Sequence, residues 1–199
     1  MTEPATTQQQ QGEVAPRQGL WESCREGLPD RFAHLIFWPI ATAGLLLDLW
    51  TKQAVFAALR DEPDQSRTII RGILTVRLAL NDGAAFGIAS GRQAFLVGVS
   101  TVALLIILGV FLFGSARQRI VQIALGLFAA GVCGNLYDRA FNDGRVRDFI
   151  DVVYWPGRHW HTFNVADAML CIAVGLLVIA TLFTDSSCRK RDRLQRSVP

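Results

Sequence analysis

Two aspartates, Asp148 and Asp167, stand beside long apolar segments of the chain, where a carboxylate is costly. A charged residue at the centre of a membrane-spanning helix costs about 2.5 to 3.5 kcal/mol on insertion scales, so acids in such segments are candidates for function. Asp167 lies near the start of the last apolar segment, and Asp148 follows the end of the preceding one. We therefore expect both carboxyl groups to reach the same water-facing layer.

Two carboxyl groups brought together in a partly apolar setting supply an acid and a base. Both cannot ionise cheaply, so one is held protonated and the other charged. The charged group can take a proton from water as it attacks a carbonyl carbon. The protonated group can donate to the carbonyl oxygen and later assist the leaving amine. The pair therefore predicts peptide-bond hydrolysis.

Each candidate also has a purely structural interpretation. Asn164 and Asp167 have the spacing of a helix N-cap and an acid at the third helical position, and a capping role can coexist with catalysis. Asp148 could be a solvated loop carboxylate paired with Arg145 or Arg147.

Further charges border the apolar segments. Asp138 and Arg139 could form an ion pair that closes the third segment. Asp48 and Lys52 are spaced to pair along one face of the first helix.

The elements that must position these residues are four apolar segments. The chain has 199 residues, of which 51% are hydrophobic. About 20 apolar residues cross a hydrocarbon core of about 30 Å. The candidate spans are 32–59, 93–113, 120–137 and 163–183. We predict a mainly α-helical membrane protein, with a four-helix domain over 32–184, a disordered polar N-terminal tail over 1–31 and a basic C-terminal tail over 185–199.

A small extramembrane β-element is predicted between the first two spans. Within 68–80, Val76, Leu78 and Leu80 alternate with less apolar positions, as in a half-buried strand. After the third span, the turn 142–144 contains an Asp-Gly pair. The apolar stretch 149–155 that follows is predicted to lie along the membrane interface, with its aromatic residues and Trp160 as anchors.

Composition argues against several other classes. The 20 basic and 17 acidic residues give a net charge of +3, and no basic stripe with interleaved aromatics is present, so nucleic-acid binding is not expected. His34, His159 and His161 are scattered, and the four cysteines lack ligand spacing. No metal or organic cofactor is implied.

Five short motifs occur together in one order. They are Asp48-Leu49-Trp50-Thr51-Lys52, Asn81-Asp82-Gly83-Ala84-Ala85-Phe86, Gly134-Asn135-Leu136-Tyr137-Asp138-Arg139, Val146-Arg147-Asp148-Phe149-Ile150 and Phe163-Asn164-Val165-Ala166-Asp167-Ala168. In these motifs the chain resembles the lipoprotein signal peptidase family, also called signal peptidase II, a family of membrane aspartyl peptidases. The resemblance covers 32–184.

The resemblance implies roles for particular residues. Asp148 and Asp167 align with the catalytic aspartates, and Asp48 and Lys52 match a motif that we interpret as structural. Residues expected to contact substrate or support the dyad are Asn81, Asn135, Asp138, Arg139 and Asn164. Gly83 would let an extended peptide approach closely. Asp82 and Arg147 receive no predicted role.

The resemblance also implies a function and a location. The expected substrate is a prolipoprotein whose cysteine bears a diacylglyceryl group, cut on the amino side of that cysteine. The expected setting is the bacterial cytoplasmic (inner) membrane, with the site on the extracytoplasmic side, membrane lipids as partners and a monomeric enzyme. Two alternatives remain open at this point: a proton- or ion-coupled transporter, whose acids would relay ions, and a non-enzymatic anchoring subunit.

Overall fold

Four long helices carry most of the chain in the computed structural model, which describes residues 29–83, 91–114, 118–155 and 158–196, with side chains described as far as Leu182. The helices are α1 (Arg31–Leu59), α2 (Gln93–Phe113), α3 (Arg119–Phe141) and α4 (Val165–Arg196). All four are long and apolar enough to cross a membrane, α4 over its first part, Val165–Leu182. The chain is a multi-pass membrane protein.

The first two predicted spans agree with the helices to within one residue, whereas the last two need correction. Helix α3 continues past the predicted end at 137 as far as Phe141, because the polar side chains of its last turn find buried partners. Helix α4 starts after the predicted 163, because the backbone of Phe163 pairs with Ile150 as an isolated β-bridge. Its helical backbone also continues to Arg196, through most of the predicted tail 185–199.

Helix α3 is the central helix and packs against the other three. Its small residues allow this close approach. A Cβ atom on Gly131 would lie 2.7 Å from the carbonyl oxygen of Ala166 in α4, and one on Gly134 would lie 2.3 Å from a carboxylate oxygen of Asp48 in α1. Glycine therefore lets both neighbouring helices contact the backbone of α3.

The extramembrane element is a four-stranded antiparallel sheet. Its strands, in spatial order, are β1 (Ser66–Ile70), β2 (Leu74–Asn81), β3 (Val146–Trp155) and β4 (Arg158–His159). The predicted strand over 68–80 is a hairpin of two strands, because the chain reverses at Gly72, which has a φ of 76°. The predicted turn at 142–144 is confirmed, with Asp143 and Gly144 at positive φ.

Strand β3 occupies the stretch that the sequence suggested only as an interfacial segment. It pairs with β2, so that Asp148 lies opposite Ala79 and Val146 lies opposite Asn81. The bridge between Ile150 and Phe163 brings the start of α4 against the same strand. The sheet and the helix bundle therefore meet near Asp148 on β3 and the first residues of α4.

Candidate active site

Asp148 lies on β3 and is almost fully buried, with 1% of its surface exposed. Its two carboxylate oxygens accept hydrogen bonds from two asparagines. Asn81 Nδ2 donates to Oδ2 at 3.0 Å, and Asn164 Nδ2 donates to Oδ1 at 2.7 Å. The alternative of a solvated loop carboxylate paired with Arg145 or Arg147 is wrong, because Asp148 is buried and Arg147 pairs with Asp138 instead.

Asp167 lies in the first turn of α4 and takes part in a reciprocal helix cap. Its backbone N–H donates to Asn164 Oδ1 at 3.0 Å, and the backbone N–H of Asn164 donates to Asp167 Oδ2 at 3.2 Å. The other carboxylate oxygen, Oδ1, accepts from Asn135 Nδ2 at 2.8 Å. The capping interpretation therefore holds, and the same carboxylate also reaches α3.

Two asparagines join the aspartates into one network. Asn164 caps Asp167 with its oxygen and contacts Asp148 with its nitrogen. The same nitrogen donates to Asn135 Oδ1 at 3.0 Å, and Asn135 in turn donates to Asp167. The two carboxyl groups thus converge from a strand and a helix onto the shared amide of Asn164. Asn135 links that amide to Asp167 a second time, and both amides orient the acids without adding charge.

Burial raises the pKa of Asp148 from its ordinary 3.8 to about 6, and the nearby charge of Asp167 adds to the rise. The hydrogen bonds from Asn81 and Asn164 act in the opposite direction, because they favour the charged form. Burial is the larger influence. A proton is consequently available on Asp148 at pH values where an ordinary aspartate would have lost it.

A buried ion cluster lies directly behind the dyad. Lys52 Nζ is 2.7 Å from Asp48 Oδ2 and 3.2 Å from Asp138 Oδ2, with all three side chains fully buried. Arg147 Nη2 pairs with Asp138 Oδ1 at 2.6 Å. The predicted pairing of Asp48 with Lys52 is confirmed, while Asp138 pairs with Lys52 and Arg147 rather than with Arg139.

The cluster also touches the dyad network and the start of α4. Lys52 Nζ donates to Asn135 Oδ1 at 3.1 Å. Asp48 Oδ1 accepts from the backbone N–H of Ala166 at 2.8 Å. Sequence reasoning gave Arg147 no role and gave Lys52 no contact with the site. The contact of Arg147 with Asp138 depends on how β3 lies against α3, and the contact of Lys52 with Asn135 depends on how α1 packs against α3. No local pattern of the sequence reveals either arrangement.

The loop after β2 is tied to α3 by its backbone. Gly83 donates its N–H to Asn81 Oδ1 at 3.0 Å, and its carbonyl accepts from Arg139 Nη2 at 3.0 Å. Gly83 and Arg139 therefore hold the loop beside the dyad. The following residues of the same motif, Ala84, Ala85 and Phe86, lie outside the described residues.

A cavity of about 560 Å³ opens onto both aspartates. Its polar side is formed by Asn81, Asn135, Arg139, Asp148, His161, Thr162 and Asp167. Its apolar side is formed by Val146, Trp160, Phe163, Ala168, Leu170 and Cys171. A second cavity of about 430 Å³, on the sheet side, shares five lining residues with it, Asp148 among them. The two cavities therefore adjoin each other at Asp148.

A further acidic residue of the second cavity was missed in the sequence. Asp151 is 1% exposed and lies 3.0 Å from His159 Nδ1 and 3.6 Å from Arg77 Nη1. The missed signal was the run of β-branched and apolar residues after the Asp-Gly turn, which marks the strand that carries both Asp148 and Asp151. Trp160, predicted as an interfacial anchor, lines both cavities.

Comparison with known proteins gives one consistent result. The signal peptidase (SPase) II family matches residues 40–183. A lipoprotein signal peptidase of Geobacter metallireducens is 37% identical over 149 residues, covering 73% of this chain and 90% of that protein. One from Rhodococcus jostii is 36% identical over 155 residues, covering 75% and 73%. A solved structure described as a bacterial membrane enzyme has a TM-score of 0.66 and 32% identity, and covers 78% of this chain and 90% of that one.

Four apolar helices, a small sheet and these matches define the class as a multi-pass membrane peptidase. Within that class, the chain belongs to the signal peptidase II family. The resemblance and the fold class predicted from the sequence are confirmed. The transporter alternative finds no support, because the matched family and its relatives are peptidases.

Proposed function

We propose that Asp148 and Asp167 are the catalytic dyad of an aspartic endopeptidase that removes the signal peptide from prolipoproteins. The substrate would carry a diacylglyceryl group on the cysteine that follows the scissile bond, and cleavage would occur on the amino side of that cysteine. The curated relatives are lipoprotein signal peptidases, which supports this substrate class. The products would be a free signal peptide and a protein that begins with a lipid-modified cysteine.

The observation that carries the proposal is the linkage of both carboxyl groups through the same asparagine. Asn164 contacts Asp148 with its side-chain nitrogen, and it caps Asp167 with its side-chain oxygen and backbone N–H. The two acids line one cavity. A pure capping role for Asp167 would not require a second, buried acid beside it.

The dyad would work by dividing two tasks between two protonation states. The charged carboxylate takes a proton from a water molecule, whose oxygen attacks the scissile carbonyl carbon. The protonated partner donates a hydrogen bond to the carbonyl oxygen as negative charge develops there. When the tetrahedral intermediate collapses, the nitrogen leaves as an amine, with the proton that the first aspartate had taken from water.

The surrounding polar residues would hold the substrate and the dyad. Asn81 and Asn164 bond to Asp148 and fix its orientation. Arg139 lines the cavity, and its buried Nε has no hydrogen-bond partner among the described residues, so it is available to a substrate carbonyl. Gly83 would allow the peptide backbone to approach the loop. Asp138 would act indirectly, by holding Lys52 and Arg147.

The apolar wall of the cavity suits a substrate that stays partly in lipid. Leu170 and Cys171 belong to a helix whose outward side chains are exposed and apolar, as a lipid-facing helix requires. The acyl chains could remain in the bilayer while the peptide bond meets water at the dyad. We place the enzyme as a monomer in the cytoplasmic (inner) membrane, with its site on the extracytoplasmic side and lipids as its surroundings.

The test is cleavage by purified enzyme of two matched precursors, one with and one without the diacylglyceryl group. Wild-type enzyme should cut the lipid-modified precursor before its cysteine and leave the unmodified one uncut. Asp148→Asn and Asp167→Asn should each lower the rate by about 1,000-fold or more while remaining folded, because an amide cannot accept and return a proton. Arg119→Met, at the far end of the bundle, is the matched control and should cut normally. Near-normal cleavage by either aspartate variant would refute the dyad.

A further inference from the structure

Lys52 is fully buried between α1 and α3, and three acceptors surround its ammonium group. They are Asp48 Oδ2, Asp138 Oδ2 and Asn135 Oδ1, at 2.7, 3.2 and 3.1 Å. An ammonium has three N–H donors and no acceptor. Lys52 is therefore ion-paired with two carboxylates and donates a hydrogen bond to one amide oxygen, and that oxygen belongs to the network that contains the dyad.

This contact decides which way the Asn135 amide faces. Because Lys52 only donates, the atom of Asn135 that lies 3.1 Å from it must be the oxygen. Asn164 Nδ2 also donates to that oxygen, at 3.0 Å. The NH₂ group of Asn135 must then face Asp167, to which it donates at 2.8 Å. A reversed amide would place two donors against Lys52 and an acceptor against a carboxylate.

The fixed amide supplies one of the hydrogen-bond donors around Asp167. Both oxygens of Asp167 accept hydrogen bonds, one from Asn135 and one from the backbone N–H of Asn164. Hydrogen bonds to a carboxylate stabilise its charged form, and the N-terminal turn of a helix does the same through its dipole. Asp148 also accepts two hydrogen bonds. It lies on a strand, however, where no helix dipole assists it, and it is almost fully buried.

We propose that Lys52 is a positioning residue, which fixes the Asn135 amide so that Asp167 is the charged member of the resting dyad while Asp148 holds the proton. Asp167 is then the base that activates water, and Asp148 is the acid that donates to the carbonyl oxygen. The assignment rests on the proposed function and goes beyond it, since the dyad alone does not say which carboxyl group does which task. The raised pKa of Asp148 agrees with it.

Removal of Lys52 alone would leave Asp48 as a buried carboxylate with no ion-pair partner among the described residues, which would endanger folding. The double variant Lys52→Met/Asp48→Asn removes one charge of each sign. Arg147 remains paired with Asp138, and the new amide at position 48 can still accept from the N–H of Ala166. This variant therefore removes the contact between Lys52 and Asn135 without changing the net charge, together with the ion pairs that Lys52 makes with Asp48 and Asp138. Arg119→Met serves as the control, because Arg119 pairs with Asp30 away from the dyad.

The dependence of kcat/KM on pH distinguishes the two roles of Lys52. If Lys52 only stabilised the fold, its removal would leave the shape of this pH profile unchanged. Other charged or titratable groups near the dyad are Asp138, Arg139, Arg147, Arg77, Asp82, Asp151, His159 and His161, and the variants leave all of them in place. We expect the double variant to lose about 10-fold or more in kcat with little change in KM. Its low-pH limb should move upward by about one pH unit, and Arg119→Met should show neither effect. A wild-type kcat and an unmoved low-pH limb in the double variant would overturn the proposal.

Infrared difference spectra test the proton assignment with Lys52 left unaltered. At a pH just below 6, the band of a protonated carboxyl group should disappear in Asp148→Asn and persist in Asp167→Asn. Loss of that band only in Asp167→Asn would reverse the assignment. If instead the aspartate variants cleave precursor normally, the dyad itself fails, which is a separate outcome.

Discussion

The two ends of the helix bundle are held together by different forces. At one end, α1, α2 and α3 share an apolar core in which Phe37 and Phe111 stack at a centroid distance of 4.0 Å. Its main ion pair, between Asp30 and Arg119, is about half exposed. At the other end, Lys52, Asp138 and Asp148 are almost fully buried and engaged with neighbouring polar groups. Packing holds the first end together, whereas the second end depends on exact polar partners.

The difference teaches where each kind of interaction is useful. An exposed ion pair adds little to stability, because water and salt screen it. A buried one is costly to form and more costly to break, because the remaining partner is left as an uncompensated charge. The buried ion cluster lies next to the candidate active site, where side chains held in one orientation favour catalysis. The following changes probe this contrast.

Removal of Asp138 should have the largest effect on stability. Asp138→Ala would leave Lys52 and Arg147 without their shared carboxylate. We expect a loss of about 3 to 5 kcal/mol in the free energy of unfolding, measured by reversible unfolding in detergent micelles. Asp30→Asn, at the opposite end, keeps an oxygen that can cap α1 and should change stability little. Equal losses in both variants would remove the distinction between the two ends.

The stability contributed by Asp148 should depend on pH. Its pKa in the folded protein, about 6, is above the ordinary 3.8, so the folded state binds the proton more tightly than the unfolded state. The contribution of Asp148 to the free energy of unfolding is therefore greatest below about pH 4. It falls by up to about 3 kcal/mol as the pH rises to about 6. Asp148→Asn lacks this titration. Its stability relative to wild type should rise between about pH 4 and pH 7, and a difference that stays flat in parallel unfolding curves would contradict the burial described.

Adding a methyl group at a glycine should be destabilising where helices pack closely at the polar end and harmless where the glycine faces open space. Gly134→Ala would place a Cβ atom 2.3 Å from Asp48 Oδ2, so either the carboxylate or the helix must move. We expect a loss of about 1 to 3 kcal/mol in unfolding free energy together with reduced cleavage. Gly109→Ala in α2 is the matched control, because a Cβ there meets no atom of the described residues within 4 Å. It should behave as wild type or be slightly more stable.

The smallest effect is expected at the exposed ion pair. Arg119→Met removes the partner of Asp30, whose pKa is lowered chiefly by that hydrogen bond. Both side chains are about half exposed, so melting temperature and cleavage should remain close to wild type. A large fall in either quantity would mean that this pair orients α1 against α3 as strictly as the buried cluster does.

The same contrast explains how much the sequence could predict. The four spans follow from hydropathy, since an apolar run of about 20 residues is a local property. The choice of Asp148 and Asp167 as a catalytic pair came from short motifs and from the cost of a membrane carboxylate, and their catalytic role stays a prediction. The pairing of Arg147 with Asp138 and the contacts of Lys52 with Asp138 and Asn135 did not follow from such patterns, because each joins residues of two different elements, β3 with α3 and α1 with α3. Strand β3 was missed because its apolar stretch also suits an interfacial segment.

The central claim is that Asp148 and Asp167 act as one unit on one peptide bond. Single-turnover cleavage of a lipid-modified precursor by wild type, Asp148→Asn, Asp167→Asn and the double variant tests it most directly. Residues that act as a unit lose no more together than either loses alone. We predict that each single variant falls by about 1,000-fold or more and that the double variant is no slower. Losses that multiply in the double variant, or one single variant that cleaves at a near-normal rate, would contradict the account.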